Sequence, residues 1–298
     1  MTDTVPLPGL QATNLMGYLA AIGTLAAVGR MHPDAPIRLS WTAQATPTAV
    51  LHGLSTLPEV ITAVMQDRDH WVGSPALEGH DHGDVKFAPA DLRRYLQTCR
   101  DTDDGGRSVA LAGALVAEGS LDGKGTAKPT DLHFTAGQQR FTNVAIEVRD
   151  GLKQERLQEA LTGPWRYDSP LKSFMWDVTD ARIYALSATD PSQSSKRSVP
   201  GAEWLALMGV VAFPATASPG RTRIAGAGGR WKRGSLQAPV WSAPVSLDVV
   251  RSLLSAARPV QEGLGVPRGL RWQITRSDQG GYGSAGPAAD WADATAVG

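Results

Sequence analysis

Five cations crowd a short stretch of the second half of the chain: Arg221, Arg223, Arg230, Lys232 and Arg233, with Trp231 among them. No carboxylate occurs between Glu203 and Asp248. Guanidinium and ammonium groups hold phosphate, and an indole stacks on an unpaired base or ribose, so the chemistry this arm offers is contact with a nucleic acid. Arg221 and Arg223 share one side of a strand if 222–225 is extended. Arg230-Trp231-Lys232-Arg233 then follows a flexible link, Gly226-Ala227-Gly228-Gly229. The bland alternative is a solvated hairpin with ordinary surface charge and Trp231 folded back onto the core. Lys196 and Arg197 form a second, smaller basic spot in a polar loop. Gln138, Gln139 and Arg140 precede a helix, where side chains and exposed amides either meet phosphate or cap the helix.

Other constellations carry less. Glu78, His80, Asp81, His82 and Asp84 offer imidazole and carboxylate groups, but the remaining histidines are scattered and supply no partner segment, so a solvated loop is expected rather than a metal site. Gly123-Lys124-Gly125-Thr126 lacks the full phosphate-loop pattern, and the glycines at 226–229 lack the helix that follows a dinucleotide loop. No nucleotide or other cofactor is expected. There is no Gly-x-Ser-x-Gly elbow, and Cys99 is the sole cysteine, which excludes an internal disulfide and fits a reducing cytoplasm. The expectation is a protein that is not an enzyme.

The 298 residues balance 29 Lys and Arg against 29 Asp and Glu, so contact with a polyanion must come from uneven placement of charge. The apolar run at 15–28 is too short to cross a bilayer and no basic segment precedes it, so it reads as a buried helix, about 15–30, capped by Asn14. Extended chain is expected at 5–10, a half-buried strand at 37–42, and helices near 47–54, 57–66, 89–100 and 108–118. Val144, Val148, Leu152, Leu157 and Leu161 read as one apolar helical stripe ended by Gly163-Pro164. Beyond it, strands are expected at 180–188, 222–225, 238–241 and 270–275, helices at 201–211 and 246–257, and a frayed tail after Ser277. The elements do not alternate as β-α-β units, which predicts an α+β class with a mostly helical N-terminal half and a mixed strand and helix C-terminal half. The expected division is a helical region at 1–125, a mixed region bearing the basic arm at 126–277, and a flexible tail at 278–298.

Asn14-Leu15-Met16-Gly17-Tyr18-Leu19-Ala20-Ala21-Ile22-Gly23 resembles the Asn-Pro-Leu-Gly-Phe-Leu-Ala-Ala-Leu-Gly opening of proteins from type I-G (formerly I-U) CRISPR systems. Trp165-Arg166-Tyr167-Asp168, Asp180-Ala181-Arg182-Ile183-Tyr184-Ala185-Leu186, Gly201-Ala202-Glu203-Trp204-Leu205-Ala206 and Phe213-Pro214 are similar to ordered blocks of the same group, which includes large-subunit-like proteins and extensions of the helicase-nuclease. The chain departs from the group at Glu203-Trp204, so no role is carried onto those two residues. The resemblance implies a non-catalytic, cytoplasmic subunit of an RNA-guided surveillance complex. Its partners would be the guide RNA and protein subunits, target DNA at the flanking motif or displaced strand, and the helicase-nuclease, with no membrane. The alternative is a protein adaptor that docks the helicase-nuclease or another subunit without touching nucleic acid. An enzyme acting through His80, His82 and Asp84 is the remaining possibility.

Overall fold

Asn14 starts the central element. In the computed structural model, which describes residues 3–79, 84–137, 139–178, 198–218, 220–266, 268–277 and 281–291, the Met16 N–H donates to Asn14 Oδ1 at 3.0 Å and opens helix α1 (Leu15–Met31). Every residue from Leu15 to Val28 is buried, as the apolar run requires. Among the described residues no helix is long and apolar enough to cross a membrane.

Before α1 lies β1 (Thr4–Gln11), and after it β2 (Arg38–Trp41) and β3 (Thr48–His52). These pair as an antiparallel sheet in the order β1-β3-β2. The segment expected as a helix at 47–54 is thus the central strand. Its alternating burial and its pairing of Ala49 and Leu51 with Leu7 and Val5 on one side, and with Trp41 and Leu39 on the other, outweigh local propensity.

Four helices follow as expected: α2 (Leu57–Asp69), α3 (Pro89–Asp101), α4 (Arg107–Leu115) and α5 (Phe141–Gly151). The stripe from Val144 to Leu161 is buried throughout, but it belongs to two helices, because Leu152 is extended and α6 (Gln154–Thr162) begins after it. Leu152 and Leu157 are five apart, a spacing one continuous helical stripe does not hold, so the register resets there.

The second half carries α7 (Pro200–Gly209), a 3-10 turn at Val210–Ala212, β4 (Ala215–Ser218), β5 (Arg221–Ile224), β6 (Ala227–Gly229), β7 (Arg233–Val240), α8 (Leu247–Ser255), α9 (Arg258–Gly263), β8 (Arg268–Arg276), β9 (Gly283–Ala285) and β10 (Ala289–Asp290). β4 and β5 form a hairpin, and the main sheet runs β10-β8-β7-β6 with β9 also on β8. Residues 281–291, expected as frayed tail, therefore add β9 and β10 to the sheet. The expected strand at 180–188 lies outside the described residues. The fold is α+β, and its first half is helical only in part, since β1, β2, β3 and the non-helical segments at 70–79, 84–88 and 116–137 share it with the helices.

An aromatic cluster joins the two larger sheets across α1. Tyr18 stacks on Trp41 at 5.3 Å and meets Trp272 at 5.2 Å, while Trp41 meets Trp241 edge-on at 6.1 Å. Three of the four polar tips are satisfied: Tyr18 OH donates to Pro239 O at 2.8 Å, Trp241 Nε1 to Leu39 O at 2.8 Å and Trp272 Nε1 to Thr13 O at 3.1 Å, whereas the buried Trp41 Nε1 has no hydrogen-bond partner among the described residues. On another side α1 packs on α7 with the backbones in contact. A Cβ at Gly23 would lie 1.7 Å from the Leu205 carbonyl oxygen, and one at Gly209 would lie 1.9 Å from that of Leu19. Gly23→Ala is therefore expected to destabilise the protein by about 3 kcal/mol or more. Chemical denaturation reads this directly, and an unchanged midpoint would show that the helices part without cost.

Glu203 and Trp204 belong to this core. Phe174 N–H donates to Glu203 Oε2 at 3.1 Å, and the buried Trp204 ring meets Trp71 edge-on at 6.4 Å.

Candidate nucleic-acid interface

The basic arm is two adjoining hairpins. In β5 the burial alternates, with Thr222 and Ile224 inward and Arg221 and Arg223 together on the other side, as the strand period predicts. Both guanidinium groups turn to one acceptor, the Gly229 carbonyl, at 2.9 Å from Arg221 and 3.3 Å from Arg223. Arg223 also lies 3.7 Å from Asp131. These two cations brace the hairpins more than they extend into solvent.

The expected flexible link is instead strand β6, registered on β7 from Ala227 opposite Leu236 to Gly229 opposite Gly234. Beyond it the hairpin closes with reciprocal backbone bonds, Arg230 N–H to Arg233 O at 3.0 Å and Arg233 N–H to Arg230 O at 3.1 Å. Trp231 and Lys232 form the two-residue tip. Arg230, Lys232 and Arg233 are exposed. Among the described residues no carboxylate lies within 4.0 Å of Arg230 or Arg233.

Trp231 does not stand open on both faces. The Arg276 guanidinium carbon lies 3.7 Å from its ring centroid, and the same group faces Phe134 at 5.4 Å. Arg276 also donates to Trp231 O at 2.7 Å and to Asp131 O at 2.7 Å, while its own N–H reaches Lys232 O at 3.0 Å. One buried side chain thus ties the hairpin tip to the segment at 131–134. Burial pushes the Arg276 guanidinium down to about 10, with the Asp131 charge opposing, so it stays protonated at neutral pH. Burial likewise raises the Asp131 carboxyl, against the pull of Arg223, Arg276 and Arg221.

Neither Arg276 nor Asp131 was singled out as a site residue by type and spacing. A signal for Arg276 exists: Leu270, Trp272, Ile274 and Arg276 form the inward face of β8 by the period of two, so an arginine ends a buried row.

The strap held by Arg276 leads into the secondary candidates. Gln139 is half-buried, and Arg140 is exposed at the N-cap position of α5 without a side-chain capping bond. Gln138, Lys196 and Arg197 lie outside the described residues, as do His80, Asp81 and His82.

Of the His-rich loop, Glu78 accepts from the Arg149 guanidinium and from Gly73 N–H at 3.1 Å, and Asp84 also pairs inward. Asp84 meets His133 Nε2 at 2.8 Å and Lys86 at 3.4 Å. Thr135 Oγ1 approaches the same ring nitrogen at 3.4 Å, so the three groups do not form a proton relay through the two sides of an imidazole. Burial alone would raise the Asp84 carboxyl, but the His133 hydrogen bond and charge, backed by Lys86, hold it down to about 2. Its ordinary value is 3.8, so the unfolded chain takes up this proton first as pH falls. Burial lowers the His133 imidazole from 6.5 against the pull of Asp84, so that group favours the fold more as pH rises toward 6.5. The carboxyl's contribution is instead complete above about pH 4 and is lost as pH falls toward about 2. Urea midpoints measured across that window are expected to fall more steeply in the native protein than in Asp84→Asn, and parallel curves would refute the assignment.

No protein-family model matches the chain, and no curated protein matches it.

Proposed function

We propose that this protein is a non-catalytic subunit of a type I CRISPR RNA-guided surveillance complex, gripping the backbone of target DNA with the cations of the β6–β7 hairpin. The observation that carries the reading is the pair Arg230 and Arg233, exposed at a locked hairpin tip with no carboxylate in ion-pairing range among the described residues. Lys232 lies between them on the same tip. A rigid cationic tip loses little conformational entropy when it meets phosphate, and it gives contact without base readout. That division of labour suits a complex in which guide pairing reads sequence. The assignment to a surveillance complex rests on the ordered sequence blocks from Asn14 to Pro214. Arg276 and Trp231 support the tip from behind, and Arg140 extends the positive surface by way of the strap.

The test is salt-dependent binding of a target duplex and of its single strands by the assembled complex, with the native chain and with an Arg230→Glu/Lys232→Glu/Arg233→Glu variant. Weaker binding with a shallower salt dependence supports the reading. Unchanged target binding together with lost recruitment of the helicase-nuclease would overturn it in favour of an adaptor.

A further inference from the structure

A second site lies where three distant segments meet. A cavity of about 310 Å³ is lined by Pro8 and Gln11 of β1, Asn14 at the start of α1, Thr162 at the end of α6, and Trp165 and Tyr167 beyond it, among others. Its two aromatic walls are fixed. Trp165 Nε1 donates to Ala160 O at 3.0 Å, Tyr167 OH donates to Asp177 Oδ2 at 3.0 Å, and the rings stand 6.2 Å apart at 71°. Asn14 is fixed as well, accepting from Met16 N–H and donating through Nδ2 to Asp177 Oδ2 at 3.2 Å. Tyr167 keeps this position at φ 51°, a left-handed conformation that costs a non-glycine residue about 1 kcal/mol. On the opposite wall β1 leaves its ladder with β3 between Leu7 and Gln11, so the backbone at Pro8 and Gly9 is not spent on that pairing.

Volume and charge select the ligand class. A space of 310 Å³ sits at the small end of ligand pockets, about 300–1,000 Å³, and suits one ring system with little attached. Among the described residues no lysine or arginine lines it, and the buried Asp177 stands behind Asn14 and Tyr167, which disfavours a phosphate and favours an uncharged ring. We propose that this cavity binds a single nucleobase, stacked on the Trp165 ring and edge-on to Tyr167, with its polar edge toward the Pro8–Gln11 backbone and the Gln11 side chain. Such walls are sequence-tolerant, because every base has a π-face. For a base presented by a strand the proposal rests on the nucleic-acid reading above; a free nucleoside offers the same chemistry without it.

The full chain is titrated by calorimetry with adenosine, guanosine, cytidine and uridine, each to about 5 mM. At least one nucleoside is expected to saturate, and Thr162→Trp, which fills the cavity from its rim, is expected to weaken it at least about fivefold, as is Trp165→Ala. Thr162→Trp removes no core side chain, so it carries the test if Trp165→Ala fails to fold. Failure of all four nucleosides to saturate, or native affinity in Thr162→Trp, overturns the proposal. The source is decided with a single-stranded oligonucleotide and its abasic counterpart. A drop of at least about fivefold on removing the bases, abolished by Thr162→Trp, assigns the cavity to a strand. Nucleoside binding with equal affinity for the two oligonucleotides assigns it to free nucleosides and supports the cavity independently of the arm. The Arg230→Glu/Lys232→Glu/Arg233→Glu variant is expected to bind nucleosides as the native chain does, which separates failure of the arm from failure of the cavity.

Discussion

Asp67→Ala is expected to lower stability by about 3–5 kcal/mol, the largest effect of any single substitution considered for this protein. Asp67 lies in the last turn of α2 with its side chain fully buried, and Arg30 from the last turn of α1 grips it through two bonds, Nε to Oδ1 at 2.7 Å and Nη2 to Oδ2 at 2.6 Å. Arg107 at the start of α4 adds a second cation at 3.6 Å, and Trp71 Nε1 donates at 3.3 Å. Arg30 also lies over the Trp71 ring at 5.6 Å, and Trp71 packs on Trp204 of α7. Removing the carboxylate leaves two largely buried guanidinium groups without their counter-charge, and desolvation then works against the fold. Since natural domains are stable by only about 5–15 kcal/mol, that loss is a large share of the total. Chemical denaturation measures it, and a double-mutant cycle with Arg30→Ala should return strong coupling because both residues serve one node. A loss below about 1 kcal/mol would mean that the node is a surface pair in energetic terms.

The second large effect concerns binding. If Arg230, Lys232 and Arg233 each neutralise one phosphate of a duplex, the slope of log affinity against log salt should flatten by about 2.7 units in the triple glutamate variant, from about 0.9 per contact. Between about 50 and 200 mM salt, the native affinity should then fall about forty-fold more than that of the variant. On single strands the contribution per contact is smaller, about 0.7, so the difference between the two proteins should narrow. The three side chains are exposed, so the thermal midpoint should stay near that of the native chain, within the roughly 0.5 kcal/mol typical of surface changes. A variant with native slope would remove the arm from the interface.

Much of the scaffold was readable from local pattern. The run from Leu15 to Val28 is apolar around its whole circumference, which only a buried helix satisfies, and Asn14 supplies the cap. Alternation alone places Arg221 and Arg223 on one side of β5. The misreadings came where long-range pairing decides the outcome. Thr48–His52 is a strand because β1 and β2 bracket it, and Gly283–Ala285 is ordered because β8 offers it an edge. Glycine content at 226–229 suggested flexibility, yet β7 supplies a partner in register.

The class of the fold, the buried central helix and the acid-free run of cations are legible in the order of residues alone, because helical and strand periods and local charge are properties of neighbours along the chain. Only the tertiary structure decided which cations face outward. Arg221 and Arg223 turn to the Gly229 carbonyl and Arg276 lies under Trp231, leaving Arg230, Lys232 and Arg233 exposed at the tip. The same holds for the aromatic cavity, whose Asn14 and Asp177 are 163 residues apart along the chain and meet only through packing. Local pattern fixes which side of an element a residue occupies, whereas the partner it finds there depends on how distant elements close on one another.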